Sequence, residues 1–255
     1  EMIYYFGNLD KVTNMNYSNS SYRSVNSGTE MDIRGTTGKF GLQYEQKLGG
    51  DVSMIVGATY KLGTKMKGHS TNYRYANQSS LTDTLSYKVD TLETSGVRFA
   101  DELGVGISFK GGDKWSAELN YLRSNWSNSG MDSQNGFSAI GASVFSSTVS
   151  QSFRAGFEIT PNRNDIRYYL KRVSYRAGIY YDQAYYKLDG NNVNSMGVTL
   201  GFTLPIPGYF YNGISFGVDL GQRASTRNNM IRERYAMFVI GFNIHDKWFR
   251  KNQYQ

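Results

Sequence analysis

Val193-Asn-Ser-Met-Gly-Val-Thr-Leu-Gly-Phe-Thr-Leu-Pro-Ile-Pro-Gly-Tyr-Phe-Tyr211 keeps a two-residue rhythm. Met196, Val198, Leu200, Phe202, Leu204 and Ile206 fall on one side; Ser195, Gly197, Thr199, Gly201 and Thr203 fall on the other. Successive side chains of an extended chain point to opposite faces, so the stretch reads as a β-strand with an apolar face and a small, polar face. The rhythm returns between Asn212 and Arg223, where Ile214, Phe216, Val218 and Leu220 oppose Gly213, Ser215, Gly217, Asp219 and Gly221. Ala236, Phe238, Ile240, Phe242 and Ile244 repeat it once more.

A soluble barrel turns its large apolar residues inward, whereas a membrane barrel turns them outward to lipid and keeps a polar lumen. The small face here also carries charge: Lys39 and Glu45, Arg98 and Glu102, Glu118, Arg154 and Glu158, Arg176 and Asp182, Asp219 and Arg223. Interleaved acids and bases also suit a solvated outer face. The strands reach the roughly 9–11 residues needed to cross a bilayer when tilted, which favours the membrane reading. The expected fold is all-β: an antiparallel transmembrane β-barrel forming one domain over residues 1–255.

Composition agrees. Twenty-one Tyr, 14 Phe and three Trp suit aromatic girdles at two membrane interfaces, and only three prolines interrupt backbone pairing. No run of apolar residues is long enough for a transmembrane helix, and a mean hydropathy of −0.52 excludes a helical membrane protein. Without cysteine there is no disulfide framework and no thiol chemistry. The net charge of +7 is scattered instead of gathered in one run, which points to anionic lipid headgroups or acidic glycans and away from nucleic acid. The chain opens on Glu1 and Met2 with no signal peptide, as expected of a mature form or a fragment.

Read for turns, the chain yields about ten strands. A polar first strand runs from near Val12 and a second descends from Thr36 to Leu48. Gly49-Gly50-Asp51 and Gly111-Gly112-Asp113 make tight turns, and Pro161 to Asn164 and the Pro205 to Gly208 segment end strands on the same side. Long polar connections fall on the other side: Tyr17 to Ser27, Gly63 to Ser95 with strand extensions near Leu85 to Val89, and Ser127 to Asn135. This is the periplasmic and extracellular asymmetry of outer-membrane barrels, with the short Asp189 turn as a minor departure.

The segments Ser152-Phe-Arg-Ala-Gly-Phe-Glu-Ile-Thr-Pro161-Asn, Tyr175-Arg-Ala-Gly-Ile-Tyr-Tyr181, Gly197-Val-Thr-Leu-Gly-Phe-Thr-Leu-Pro205, Gly221-Gln-Arg223 and Asp246-Lys-Trp-Phe249 are more specific. Together they resemble the last strands of the long-chain fatty-acid transporter (FadL-type) family, in particular its divergent, Tyr-rich Bacteroidetes-type branch. The resemblance implies the later part of a fourteen-stranded barrel in the bacterial outer membrane. It also implies an N-terminal hatch, a lateral opening in the wall and passive uptake of hydrophobic small molecules. The hatch and about four strands have no counterpart in this chain.

No catalytic, cofactor or metal constellation stands out, so no enzyme is expected. His69 reads as an exposed loop histidine and His245, beside Asp246, as interfacial. The lumen-facing candidates are Arg98, Glu102, Glu118, Arg154, Glu158, Arg176, Asp182, Gly197, Gly201, Gly217, Asp219 and Arg223. Their charges either brace the barrel and a plug or steer a substrate. The glycines either leave room for a plug, a ligand or a partner's segment, or let the backbone curve. Trp115, Trp126, Tyr185, Tyr209, Trp248 and Phe249 read as interface girdle, with a stacking platform as the alternative. Expected partners are outer-membrane lipids and lipopolysaccharide, hydrophobic small molecules, and other outer-membrane proteins or lipoproteins. Two functions fit: FadL-type uptake, or a non-transporting subunit of a larger outer-membrane assembly such as secretion or barrel-insertion machinery.

Overall fold

The computed structural model describes residues 1–255 except 20, 79–80, 92–95, 134–138, 141–142, 207–212, 225, 227–229 and 245–255. The strands of the first half are β1 (Met2–Met15), β2 (Ser24–Gly49), β3 (Val52–Lys61), β4 (Thr64–Lys65), β5 (Lys67–Gln78), β6 (Leu81–Thr91), β7 (Arg98–Phe99) and β8 (Asp101–Gly111). Then come β9 (Trp115–Asn125), β10 (Ala139–Ile140), β11 (Ser143–Ser147), β12 (Val149–Ile159), β13 (Ser174–Leu188), β14 (Asn191–Pro205), β15 (Gly213–Arg223) and β16 (Glu233–Asn243). Two 3₁₀ turns, Met131–Ser133 and Tyr169–Arg172, are the helical pieces among the described residues.

The protein is an all-β, antiparallel sheet. Its continuous wall runs β16-β15-β14-β13-β12-β9-β8-β3-β2, and β5, with β6 beyond it, continues the β3 edge along the upper half of β2. β1 pairs with β2 over Val25 to Gly38, and β5 pairs with the opposite edge of β2 over Ser24 to Arg34. β3 takes up pairing with β2 from Lys39 downward. The sheet is open: β16 and the Phe40-to-Gly49 half of β2 each border one strand among the described residues.

Short turns sit at one end of the wall. Gly50 and Gly112 adopt φ of +57° and +54°, a conformation that costs glycine little and other residues more, so each GGD sequence closes a tight hairpin. The long connections lie at the other end, where β5 and β6 extend the sheet beyond the wall as the expected strand extensions. The Pro207 turn lies outside the described residues.

Two strands are longer than the sequence rhythm predicts. β1 starts at Met2 instead of near Val12, and β2 starts at Ser24 instead of Thr36. The reason is an exchange of faces within β2. Between Lys39 and Gly49 its outer face is apolar and exposed, with Leu42 77% accessible beside Phe40 and Tyr44, while Lys39, Gln43 and Glu45 share the other side. Above Gly38 the polarity inverts: Met31 is fully buried on the inner side, while Glu30, Asp32 and Arg34 take the outer one. Met31 packs with Met66 and Val97, and Tyr5, Leu9, Ile33, Phe99 and Met131 close around them. This small core joins the extended strands to the connections above the wall.

In the wall strands the small residues share the inner face. Tyr180, Gly197, Gly221 and Tyr235 form one cross-strand row from β13 to β16. The two tyrosines lean over the two glycines and meet hydroxyl to hydroxyl at 2.5 Å, and Tyr180 donates to Asp219 at 3.0 Å. A Cβ at Gly221 would lie 2.5 Å from both phenol oxygens. Gly221→Ala is therefore expected to destabilise the fold by about 1–3 kcal/mol through overpacking. Gly217→Ala, whose nearest neighbour would be 3.8 Å away, stays within about 0.5 kcal/mol. The temperature at which each purified variant loses its folded gel mobility measures the difference.

Candidate functional site

Alternation in eight adjoining strands hollows the inner face. A cavity of about 1130 Å³ is lined by Gly41 and Gln43 of β2, Gly57 and Thr59 of β3, and Gly104 and Gly106 of β8. Asn120 of β9, Ser152 and Arg154 of β12 and Asp182 of β13 complete it, with Ser195 and Arg223 at the far wall. A second hollow of about 660 Å³ shares Arg154 and Asp182 and continues past Glu118, Glu158, Arg176, Tyr180 and Asp219. Glycine rows provide the width, since a glycine leaves its share of the face empty.

Charges along this face pair across strands. Same-face residues four apart in one strand stand about 13 Å from each other and those six apart about 20 Å, so Arg154 and Glu158, or Arg176 and Asp182, cannot bond within their own strands. The register sets Glu158 directly opposite Arg176 and Ser152 opposite Asp182. Arg176 Nε donates to Glu158 at 2.5 Å and its Nη1 to Thr203 at 3.0 Å. Arg154 reaches Asp182 at 3.6 Å, and Ser152 donates to the same carboxylate at 2.5 Å. Glu102 takes Lys61 at 3.5 Å and Lys39 at 4.0 Å, and Ser124 donates to it at 3.4 Å.

Most of the sequence candidates stand on this face. Glu118 borders the second hollow, Gly197 lies under Tyr180, Gly201 and Gly217 pair beyond the Thr199 and Asp219 row, and Asp219 accepts from Tyr180. Arg98 departs from the set. It lies in β7, which pairs with β4 apart from the wall, and its guanidinium packs over Gly63. The partner that reading gave it, Glu102, is held by the two lysines instead.

The aromatic candidates divide. Trp115 starts β9 opposite Ile159, on the outer face, with its indole over Gly111. Trp126 and Tyr185 belong to a chain of rings. Tyr5 meets Phe99 at 5.0 Å, Phe99 meets Trp126 at 5.8 Å and Trp126 meets Tyr185 at 5.4 Å, with Tyr186 5.2 Å beyond. Phe99 packs on the Met31 core and Tyr185 lines the cavity, so the chain of rings caps the cavity at the long-loop end. Trp126 shares the parity of the inner residues Glu118, Asn120 and Leu122, a signal that could have placed it. Tyr209, Trp248, Phe249 and His245 lie outside the described residues. His69 is exposed in β5, opposite Asp32 and Thr91.

At the short-turn end, residues 160–173 build a basic and aromatic rim. Asp165 accepts from Tyr168 N at 2.7 Å and Arg167 N at 2.9 Å, and Lys171 stands 3.6 Å away. The backbone bond from Tyr168 is the largest cause holding this carboxyl below the usual aspartate range, with Arg167 N and the Lys171 charge adding to it. Arg167 and Lys171 flank the Tyr168 ring at 5.2 and 4.7 Å, and Arg172 lies 5.4 Å from the Tyr169 ring. Tyr169 and Tyr175 tie the turn to the wall by donating to Pro205 O at 2.8 Å and Leu170 O at 3.1 Å.

No curated protein sequence matches the chain. Among solved structures it is similar to the Ralstonia pickettii toluene transporter TbuX, at 19% identity and a TM-score of 0.44 over 88% of this chain and 51% of that one. It is also similar to CymD, a monoaromatic hydrocarbon channel, at 12% identity and a TM-score of 0.38 over 87% of this chain and 69% of that one. The chain thus spans about half the length of TbuX. A family model described as BamG matches residues 1–255, and the chain belongs to the BamG family.

The rim makes a pH-dependent contribution. A carboxyl whose folded pKa is lowered stabilises the fold above its unfolded value, and the contribution is lost as pH falls through the folded one. Asp165→Asn keeps an acceptor for the turn and removes only the charge. Wild type is expected to exceed this variant in thermal stability near pH 7, and the gap is expected to close progressively below about pH 4.

Proposed function

We propose that this member of the BamG family is a bacterial outer-membrane barrel acting as a non-transporting subunit of a larger assembly, of the barrel-insertion kind. The observation that carries the proposal is the division of chemistry between the two faces of the wall. Large apolar side chains such as Leu42, Leu200, Phe238 and Ile240 stand exposed on the outer face, row after row. Water penalises so continuous an apolar surface, and hydrocarbon does not.

The inner face is small, polar and ion-paired. A hydrophobic solute crossing it would meet Glu102 with its lysines, then Arg154 with Asp182, then Arg176 with Glu158. Desolvating such groups opposes passage of an apolar molecule, which counts against the uptake reading. The BamG family is related to barrel assembly, which favours the subunit reading. A Bacteroidetes-type host, outer-membrane lipids and lipopolysaccharide around the wall, and outer-membrane proteins or lipoproteins as neighbours belong to the same proposal. So does the absence of enzymatic chemistry.

The membrane reading is tested face by face. Leu200→Arg is expected to cost about 2–4 kcal/mol of folding free energy in bilayers, while Thr199→Arg, one residue along and facing the cavity, costs about 1 kcal/mol or less. Refolding yield into vesicles distinguishes them. Depletion of the protein from its host tests the subunit reading. The folded fraction of other outer-membrane barrels is expected to fall while uptake of monoaromatic hydrocarbons stays unchanged. Lost uptake with normal barrel assembly would reverse the assignment.

A further inference from the structure

The outer face carries an apolar hollow of about 440 Å³ between β12 and β15, within the size range of small-ligand sites. Its floor is Ala177, the small member of a cross-strand row in which Phe157 and Leu200 flank it. Tyr175, Phe202 and Phe216 form the end nearest the short turns, where the two phenylalanine rings stack at 5.1 Å.

This end adjoins the basic rim. Tyr175 lines the hollow, and its hydroxyl holds Leu170 of the turn. Tyr169 holds the base of β14, whose Leu200 and Phe202 form the opposite side. Three cations, Arg167, Lys171 and Arg172, lie against Tyr168 and Tyr169, and Asp165 offsets one of them. Ile166 and Leu170 point apolar side chains into the surroundings of the same turn. Apolar and aromatic residues interleaved with lysine and arginine mark a segment lying at a membrane interface.

We propose that this wall binds one anionic phospholipid, an acyl chain lying over Ala177 and the phosphate resting against Arg167 and Arg172. The proposal builds on the membrane reading above. Charge complementarity chooses the occupant: the hollow alone suits any hydrocarbon chain, and the cations beneath it select one that carries a negative headgroup.

Purified protein is first inserted into vesicles and recovered by co-flotation; failure at this stage would sink the membrane reading itself. Native mass spectrometry of the extracted protein then follows titration with phosphatidylglycerol, with phosphatidylcholine of the same chains, and with glycerol phosphate, which has the headgroup charge and no chains. One phosphatidylglycerol is expected to bind about tenfold more tightly than phosphatidylcholine, and glycerol phosphate is expected not to displace it. Arg167→Gln with Arg172→Gln removes the preference. Ala177→Phe fills the hollow and weakens both lipids, and Ala177→Met serves if the larger side chain hinders folding. Equal binding of the two lipids, displacement by glycerol phosphate, or unchanged binding in the folded Ala177 variants would each overturn the site.

Discussion

The pleat of an extended chain gives each strand two faces, and the solvent on each side decides which face is apolar. Everything else in this protein follows from where that decision changes sign. In β2 the change falls at Gly38 and Lys39: below it Phe40, Leu42 and Tyr44 face outward, and above it Met31 and Ile33 face inward. A single strand thus passes between two environments without a break in its hydrogen bonding. Its upper half takes β1 and β5 as neighbours, and its lower half takes β3. The Met31, Met66 and Val97 core exists because the upper half needs its apolar side covered by protein, whereas the lower half has no such need.

Once the inner face of the wall is committed to small and polar side chains, it needs a means of staying open. Alternation makes glycine-rich rows, and such rows weaken a sheet by removing packing. The row from Tyr180 to Tyr235 compensates by laying two rings over Gly197 and Gly221, as aromatic neighbours do for glycine elsewhere in sheets. Cross-strand ion pairs act beside it: Arg176 with Glu158 joins β13 to β12, and Lys39 and Lys61 with Glu102 join three strands. With side chains partly open to solvent, these pairs contribute modestly to stability. Their larger effect is to keep the cavity polar, which shapes what can enter it.

The sequence made the wall legible for a definite reason. From β12 to β16 the alternation is broken only near the upper end of β13, and the turns after β12, β13 and β14 carry glycine, proline or aspartate, so most strand positions and faces follow from parity alone. Register does not follow from parity. Nothing in the order of residues says that Glu158 meets Arg176 or that Lys39 and Lys61 converge on Glu102, and a set of charges read strand by strand assigns the wrong companions. Trp126 and Tyr185 illustrate a second gap. Interface girdles and inner caps both place aromatics at strand ends, so position alone is ambiguous. Parity resolves Trp126, but the irregularity between Gln183 and Lys187 breaks the rhythm before it can place Tyr185.

The two ends of the wall now differ in kind. At the long-loop end, rings from β1, β7, β13 and Trp126 at the end of β9 close over the cavity, and β1, β2, β5 and β6 stand beyond it, where β2 turns Glu30, Asp32 and Arg34 outward. At the short-turn end, a compact rim presents cations and aromatics where the outer apolar band stops. A conduit for apolar molecules would need an apolar route joining these ends through the inside, yet the apolar surface lies outside and the ion pairs inside. The two faces of the wall are thus opposed in chemistry along its whole height, with the apolar side chains outward and the paired charges inward. The rim is tied down at both sides, since Tyr169 holds Pro205 of β14 and Tyr175 of β13 holds Leu170, so its cations and rings keep a fixed place at the foot of the apolar band.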